Sequence, residues 1–401
     1  MAELWKRPSE EDSEINNYPY YKKSFLPFQI KEYLFNINNI VLIDQKNEFR
    51  ELFLYIIKLI DTELNIADKE NLNDNNNDEI KSINSGINKG TNSIEDEEKL
   101  LKKFREDYHN KFNSIIQQNF YSEIQVCYQC LECNLFKYHY EIVNSFTFDF
   151  EIIKQNYLLK YKFKEIMNKV LVFSLDDCFE NQEKPSILEQ NIICQKCKLK
   201  TLQKQIRIIK APNILVLFFK EKDISKIQFK ISLDFQLNPY IHELYENISQ
   251  SGKNLQFKRN SYDLICILFS PTSKAKKGQY LAYCKNPVNN WWYCFNDSIV
   301  NSVDEQALRE IKIPKLLIYK KKEIINLIFV IDKEQKYDLE VDSDMVFRNV
   351  VSYLYVKYSW MKKLDIFYFT YNDKKIDLNK KVSQNNLSNG SIIICKRGIF
   401  I

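Results

Sequence analysis

The sequence predicts an α+β chain, with helices near the N-terminus, a long β-rich middle braced by a metal site, and a unit of two strands, a helix and further strands at the C-terminus. Three observations carry this expectation. Leu52, Tyr55, Ile56, Leu59 and Ile60 recur at helical spacing. Short runs rich in Phe, Tyr, Ile and Val, among them Ile214 to Phe219 and Leu264 to Phe269, follow one another from Val126 to Lys320 and suggest an antiparallel sheet. Two Cys-x-x-Cys pairs, Cys130/Cys133 and Cys194/Cys197, fall inside that stretch with a long gap between them.

After Leu64 the chain is so polar that it buries too little surface to offset the entropy of ordering, so residues 65–100 are expected to form a disordered insertion. Helical spacing resumes with Phe104, Tyr108, Phe112 and Ile115, which places the insertion between two packed helices. After Lys322 the pattern changes. INLIFVID and KYDLEVD read as a hairpin, and SDMVFRNVVSYLYVKYS as a helix capped by Ser343 or Asp344. Phe347, Val350, Val351, Leu354, Tyr355 and Tyr358 share one face of that helix. Neither an internal repeat nor sustained heptads are present, which sets aside solenoids and coiled coils.

A chain of 401 residues holds two or three domains and a full-sized core. Lys and Arg total 58 against 53 Asp and Glu, and this net +5 lacks the concentrated basic face that nucleic acid requires. The opening MAELWKRPSEED puts charges where a secretory signal needs an apolar run, and no run reaches the roughly 18 apolar residues of a membrane span. The expectation is a soluble chain of the cytoplasm or nucleus, with no nucleic-acid or membrane partner. In that reducing setting the ten cysteines are free thiols or metal ligands rather than disulfides.

Four thiolates arranged as two Cys-x-x-Cys turns suit one tetrahedral structural zinc, each turn offering two sulfurs about 2.3 Å from the ion while backbone amides stabilise the thiolates. Cys130, Cys133, Cys194 and Cys197 are therefore the expected ligands. A local set of Cys127, Cys130, Cys133 and His139 is the alternative, and it leaves the second pair unexplained.

The residues around this site resemble the ubiquitin-specific proteases, the ubiquitin carboxyl-terminal hydrolase (peptidase C19) family. APNILVLFFK at Ala211 to Lys220 is similar to the strand that follows the family's zinc-bound fingers. SLDDCFENQEKP at Ser174 to Pro185 and KISLDFQLNPYI at Lys230 to Ile241 resemble its neighbours, and NEFRELFLYIIKLIDTEL at Asn47 to Leu64 resembles the family's Gln-Asp-Ala helix with Glu51 in register. The final family box runs Tyr-x-Leu, Gly-His-Tyr, then Trp-x-x-Phe with Asp or Asn and Asp. Here it reads YDLICILF from Tyr262, GQY at Gly278 to Tyr280, and WYCFND at Trp292 to Asp297. The resemblance implies papain-like fingers and palm, with Gly278, Tyr280, Trp292 and Phe295 at the ubiquitin tail, Gln279 in the place of the catalytic histidine, Asn296 in that of the orienting third member, and Asp297 beside it. It divides the chain into a thumb remnant over 1–44, a protease-like domain over 45–320, and a C-terminal domain over 322–398. Two strands, a turn, a helix and further strands within about 75 residues match a β-grasp unit. Ile325 to Arg397 resembles ubiquitin, although KRGIFI replaces the conjugating Gly-Gly.

Cleavage needs a thiolate, and an ordinary cysteine with a pKa near 8.5 needs a base beside it at neutral pH. A glutamine amide binds no proton there. The family's nucleophile sits in an N-terminal Asn-x-x-x-Cys box, whereas the first cysteine here is Cys127, and residues 1–44 contain neither cysteine nor histidine. No other pairing among His109, His139, His242, Cys178, Cys266, Cys284, Cys294 and Cys395 is evident from the sequence. The leading expectation is an inactive protease-like protein that binds ubiquitin or a ubiquitinated protein, or scaffolds a complex, with its C-terminal domain as a docking module. The alternatives are an active cysteine deubiquitinase whose nucleophile comes from upstream sequence or a partner, and a scaffold without ubiquitin affinity.

Overall fold

The computed structural model describes residues 49–66, 94–160, 170–187, 193–194, 196–199, 202–220, 227–242, 260–270, 280–287, 289–297, 299–331, 335–364 and 368–396. Expectations that fall on 1–48, on 67–93, or on Gly278 and Gln279 lie outside the described residues. The chain divides into two compact units, one made of Met1–Gln256 and Tyr262–Lys320 and the other of Phe257–Ser261 and Lys321–Ile401. Among the described residues no helix is long and apolar enough to cross a membrane.

The first unit opens with α1 (Phe49–Glu63), α2 (Ile94–Lys111) and α3 (Ile115–Phe120). Its first sheet joins β1 (Ser122–Cys130), β2 (Phe136–Val143), β5 (Ser186–Ile187) and β6 (Leu202–Lys210) in the antiparallel order β2-β1-β6-β5. The larger sheet runs β13-β12-β11-β10-β14-β7-β3, where β3 is Phe146–Asp149, β7 Ile214–Lys220, β10 Ser261–Phe269, β11 Leu281–Lys285, β12 Trp292–Asn296, β13 Ile299–Val303 and β14 Leu316–Lys321. Within it β3 and β7 run parallel, and β9 (Asp234–Gln236) pairs with β10. A small parallel pair, β4 (Leu171–Phe173) and β8 (Ile227–Phe229), stands apart. Helices α4 (Phe150–Lys160), α5 (Leu175–Glu183) and α6 (Glu305–Leu308) complete the unit.

Its core is aromatic. Phe148 and Phe179 meet edge-on at 5.1 Å, Phe219 and Phe229 lie 4.9 Å apart, and Phe150 stacks on Phe219 at 5.4 Å. Buried tyrosines join only where their hydroxyls find acceptors. Tyr319 donates to the Ser232 carbonyl at 2.7 Å and Tyr240 to the Asp176 carboxylate at 2.9 Å. Helix α5 starts with a reciprocal cap between Ser174 and Asp177, as the Ser-Leu-Asp-Asp order allows.

Two sequence expectations shift here. Helix α1 packs on Val216 and Phe218 through Phe49, Phe53 and Leu54, with Ile57 buried, while Ile60 is exposed. The apolar arc of the helix is wider than one packed stripe, so spacing alone does not choose the stripe, and the aromatic side wins because Phe53 meets Phe218 edge-on at 5.7 Å. Helix α2 begins at Ile94, inside the stretch expected to be disordered, and is separate from α3. Leu101 anchors it against Tyr140 and Ile209.

Helix α2 also carries an ionic clamp onto the first sheet. Arg105 Nε donates to the Glu123 carboxylate at 2.8 Å, Lys210 Nζ stands 3.5 Å from its other oxygen, and Glu123 is 4% exposed. Arg105→Met is expected to destabilise the fold by about 3 kcal/mol, because the buried carboxylate keeps only Lys210, whereas Arg105→Met with Glu123→Leu costs less than the single change. Urea unfolding of the two variants checks the order.

The second unit is a five-stranded sheet in the order β16-β15-β19-β17-β18, formed by β15 (Ile324–Ile331), β16 (Gln335–Asp342), β17 (Tyr368–Tyr371), β18 (Lys374–Lys375) and β19 (Ile392–Lys396). β15 and β16 form an antiparallel hairpin, and β15 pairs in parallel with β19. Helix α7 (Phe347–Lys357) contributes Phe347, Val350 and Leu354, all fully buried, to a core with Leu327, Phe329 and Ile393. Its expected cap is absent. Val346 occupies the cap position without a side-chain bond, and the Ser343 hydroxyl donates instead to Glu323 at 2.8 Å. Leu354→Ala should cost about 2–5 kcal/mol, read as faster amide exchange across β15, β19 and α7.

Candidate functional site

The two Cys-x-x-Cys pairs come together. All four sulfurs lie within 4.8 Å of one another, with Cys130 and Cys197 at 3.5 Å and Cys133 and Cys194 at 3.6 Å. Ligands about 2.3 Å from a tetrahedral ion stand roughly 3.8 Å apart, so the described cluster could hold a metal ion with little movement, and its all-thiolate donors suit zinc.

Both turns have the same build. The Cys130 amide donates to the Leu135 carbonyl at 3.0 Å and the Asn134 amide returns to the Cys130 carbonyl at 3.0 Å; the Cys194 amide donates to Leu199 at 2.9 Å and the Lys198 amide returns to Cys194 at 2.9 Å. Asn134 and Lys198 take positive φ values of 53° and 63°, the left-handed step that turns each loop back on itself. The repeated order Cys, Asn or Lys, Leu after each pair is the sequence signal for this turn, and sequence analysis passed over it.

Backbone amides and neighbouring sulfurs set the protonation. The amide of Cys133 holds the Cys130 thiol down to about 6, and that of Cys197 lowers Cys194. At Cys197 the Leu199 amide favours the thiolate, yet burial and the adjacent Cys130 and Cys194 sulfurs outweigh it and push the thiol up to about 12. Cys127 stays outside the cluster. It lies opposite Tyr138 on β2, whereas His139 lies opposite Val126, so the two side chains project from opposite faces of the sheet. That pleat removes the local ligand set with Cys127 and His139.

The residues expected at a ubiquitin tail are divided by the large sheet. Tyr280 is 37% exposed, with its ring 6.1 Å from that of Phe49 at the start of α1. Phe295 is half-buried opposite Ala282, whose side chain packs with the α1 cluster. The Trp292 ring points into the main core and is 4% exposed, so it supports the hairpin from beneath and offers no ring surface to a ligand. Asn296 is the last residue of β12, half-buried opposite Ile299. Asp297 follows at φ +50°, a conformation that Asn and Asp adopt more readily than most residues, so the turn itself accounts for Asp297.

All ten cysteines and all three histidines fall among the described residues. His242 Nε2 is 2.8 Å from Glu183, His139 Nε2 is 3.4 Å from Glu141, and His109 meets the Tyr108 ring edge-on. Among the described residues no imidazole is hydrogen-bonded to a thiol. Burial raises the thiols of Cys127, Cys178 and Cys294 and pushes Cys395 up to about 12, the reverse of what a nucleophile needs.

The family model for ubiquitin carboxyl-terminal hydrolase matches residues 15–319, well over half of the 401. The chain belongs to the ubiquitin carboxyl-terminal hydrolase family. It is 26% identical over 220 residues to ubiquitin carboxyl-terminal hydrolase 2 of Gallus gallus, covering 54% of this chain and 56% of that one. It is 28% identical over 219 residues to ubiquitin carboxyl-terminal hydrolase 25 of Arabidopsis thaliana, covering 52% and 29%. The chain thus spans about half the length of the first relative and under a third of the second. Among solved structures it is similar to the yeast SAGA DUBm, with a TM-score of 0.39 and 20% identity over 55% of this chain and 45% of that one. For a second SAGA DUB module the TM-score is 0.43, with 18% identity over 70% and 52%.

Purified from zinc-containing medium, the full chain should carry one zinc per molecule by elemental analysis, and Cys194→Ser should lose it. Stripping the ion with a chelator should speed amide exchange in β1, β2 and β6 while leaving β15 and β19 unchanged. Lys198→Gly should hold the ion as well as the parent chain or better, since the left-handed turn costs a non-glycine residue about 1–2 kcal/mol, and Lys198→Val should hold it less well.

Proposed function

We propose that this chain is a catalytically silent member of its family that binds ubiquitin or a ubiquitinated protein, or scaffolds a complex around one, on a frame of fingers and palm braced by structural zinc, in the cytoplasm or nucleus. The observation that carries the reading is the placement of its three imidazoles. They sit on α2, on β2 and just beyond β9, each engaged with a carboxylate or an aromatic ring, and none belongs to the hairpin of β11 and β12 that holds Asn296. The resemblance puts Gln279 in the proton-carrying position, and an amide there can orient a ligand without ionising a thiol.

The second unit supports a ubiquitin-like β-grasp reading. Its hairpin, the helix Phe347–Lys357 and the parallel pairing of β15 with β19 are features of that fold. In this role the unit is a docking module.

The purified full chain should form no covalent adduct with ubiquitin bearing a C-terminal electrophile, and Gln279→His alone should not change that. Labelled ubiquitin should bind it saturably. An adduct abolished by one Cys→Ser change would overturn catalytic silence, and a flat titration up to millimolar ubiquitin would leave a scaffold without ubiquitin affinity.

A further inference from the structure

Cys266 on β10 and Cys284 on β11 stand directly opposite each other in the antiparallel ladder, and their sulfurs are 3.5 Å apart. Directly opposed residues in such a ladder have Cα atoms about 4.5–5.5 Å apart, inside the roughly 4.4–6.8 Å that a disulfide spans. Closing the gap to a bond of about 2.05 Å needs side-chain rotation and no change of register. Both residues are half-buried, whereas Cys127, Cys178 and Cys395 are buried and four other cysteines belong to the metal cluster. The remaining thiol, Cys294, lies opposite Tyr283 and therefore projects from the other face of the sheet.

We propose that Cys266 and Cys284 form a redox-responsive dithiol that closes to a cross-strand disulfide on meeting a low-molecular-weight disulfide such as oxidised glutathione. The Cys266 sulfhydryl beside it holds the Cys284 thiol below the ordinary range, which makes Cys284 the attacking sulfur. Its thiolate attacks one sulfur of the oxidant, the oxidant's S–S bond breaks, and one thiolate leaves and takes up a proton. Cys266 then gives its proton to solvent and attacks Cys284 Sγ. The protein S–S bond forms, the mixed disulfide breaks, and the second thiolate leaves and is protonated. Two electrons pass from the protein pair to the oxidant, which becomes two thiols.

The bridge ties β10 to β11, and β11 in turn pairs with the strand that ends at Asn296. Oxidation therefore stiffens the hairpin assigned to ligand contact. The proposal does not depend on what that ligand is.

The test is thiol mapping of the full chain equilibrated in glutathione buffers from reducing to oxidising, quenched in acid, alkylated and digested. The expected result is a peptide cross-linked between Cys266 and Cys284, with alkylation of both falling at least about tenfold at a shared midpoint potential and returning with dithiothreitol. Cys294→Ser should leave that behaviour unchanged, and Cys266→Ser should instead trap glutathione on Cys284. Full alkylation of both thiols in the most oxidising buffer, glutathione on each without a cross-link, or a cross-link to Cys294 would overturn the proposal. Mapping of the parent chain decides the matter even if a variant fails to fold.

Discussion

The convergence of four sulfurs at one end of the first sheet is the constraint on which that end of the sheet depends. The hydrophobic cluster there consists of Cys130, Cys194 and Leu202, with Cys133, Leu135 and Cys197 packed against it, so the thiols are themselves most of the core. Two leucines cannot supply what a full core supplies elsewhere in the chain. The sulfurs brought together are 61 and 67 residues apart in sequence, and closing so long a loop costs entropy that a few apolar contacts do not return. An ion bound by four thiolates can offset that cost because its affinity is available only to the folded arrangement. The identical hydrogen bonding of the two turns fits this role, since each presents two sulfurs to a common point while spending its own amides on keeping the turn rigid.

Away from the cysteine cluster the balance of forces is different. The core of the first unit is held by a dense set of phenylalanine rings, and α2 is fastened to the first sheet by a buried carboxylate between an arginine and a lysine. Such a clamp contributes directionality more than net stability, because desolvating the charges offsets much of their attraction. It fixes where α2 lies along β1, and the contacts of Glu97, whose carboxylate accepts from Gln125 Nε2 and whose carbonyl accepts from the Tyr140 hydroxyl at 3.3 Å, fix it again about two turns nearer the helix start. The helix that sequence composition assigned in part to a disordered insertion is thereby a strut for the first sheet.

How much was legible follows from which physical effects are local. The clustering of the four cysteines was legible because soft-ligand chemistry imposes a spacing on the sequence itself, and β7 and β10 were legible because buried strands need runs of branched and aromatic residues. The packed stripe of α1 was not legible, since an apolar arc wider than one stripe leaves the choice to Phe218 on a distant strand. The cap of α7 was misread for a similar reason, because Ser343 has a competing acceptor in Glu323, 20 residues upstream. The burial of Trp292 and the opposition of Cys266 to Cys284 depend on strand register, which is set by the whole sheet. At the candidate site, sequence named the residues of the hairpin without saying which side of the sheet each one serves.

That distinction bears on what holds the hairpin in place. In the hairpin of β11, β12 and β13, Trp292 supports the strands from the core side, Asp297 is required by the left-handed turn, and Phe295 and Tyr280 lie toward α1. Each of these residues has a structural reason to be where it is that does not involve moving a proton. On the proposed reading an amide takes the place of the family's imidazole, whose ionisation serves the reaction more than the packing of strands. Because each of these supports is independent of a proton carrier, a surface that receives a ligand would persist on that reading without the group that cuts it.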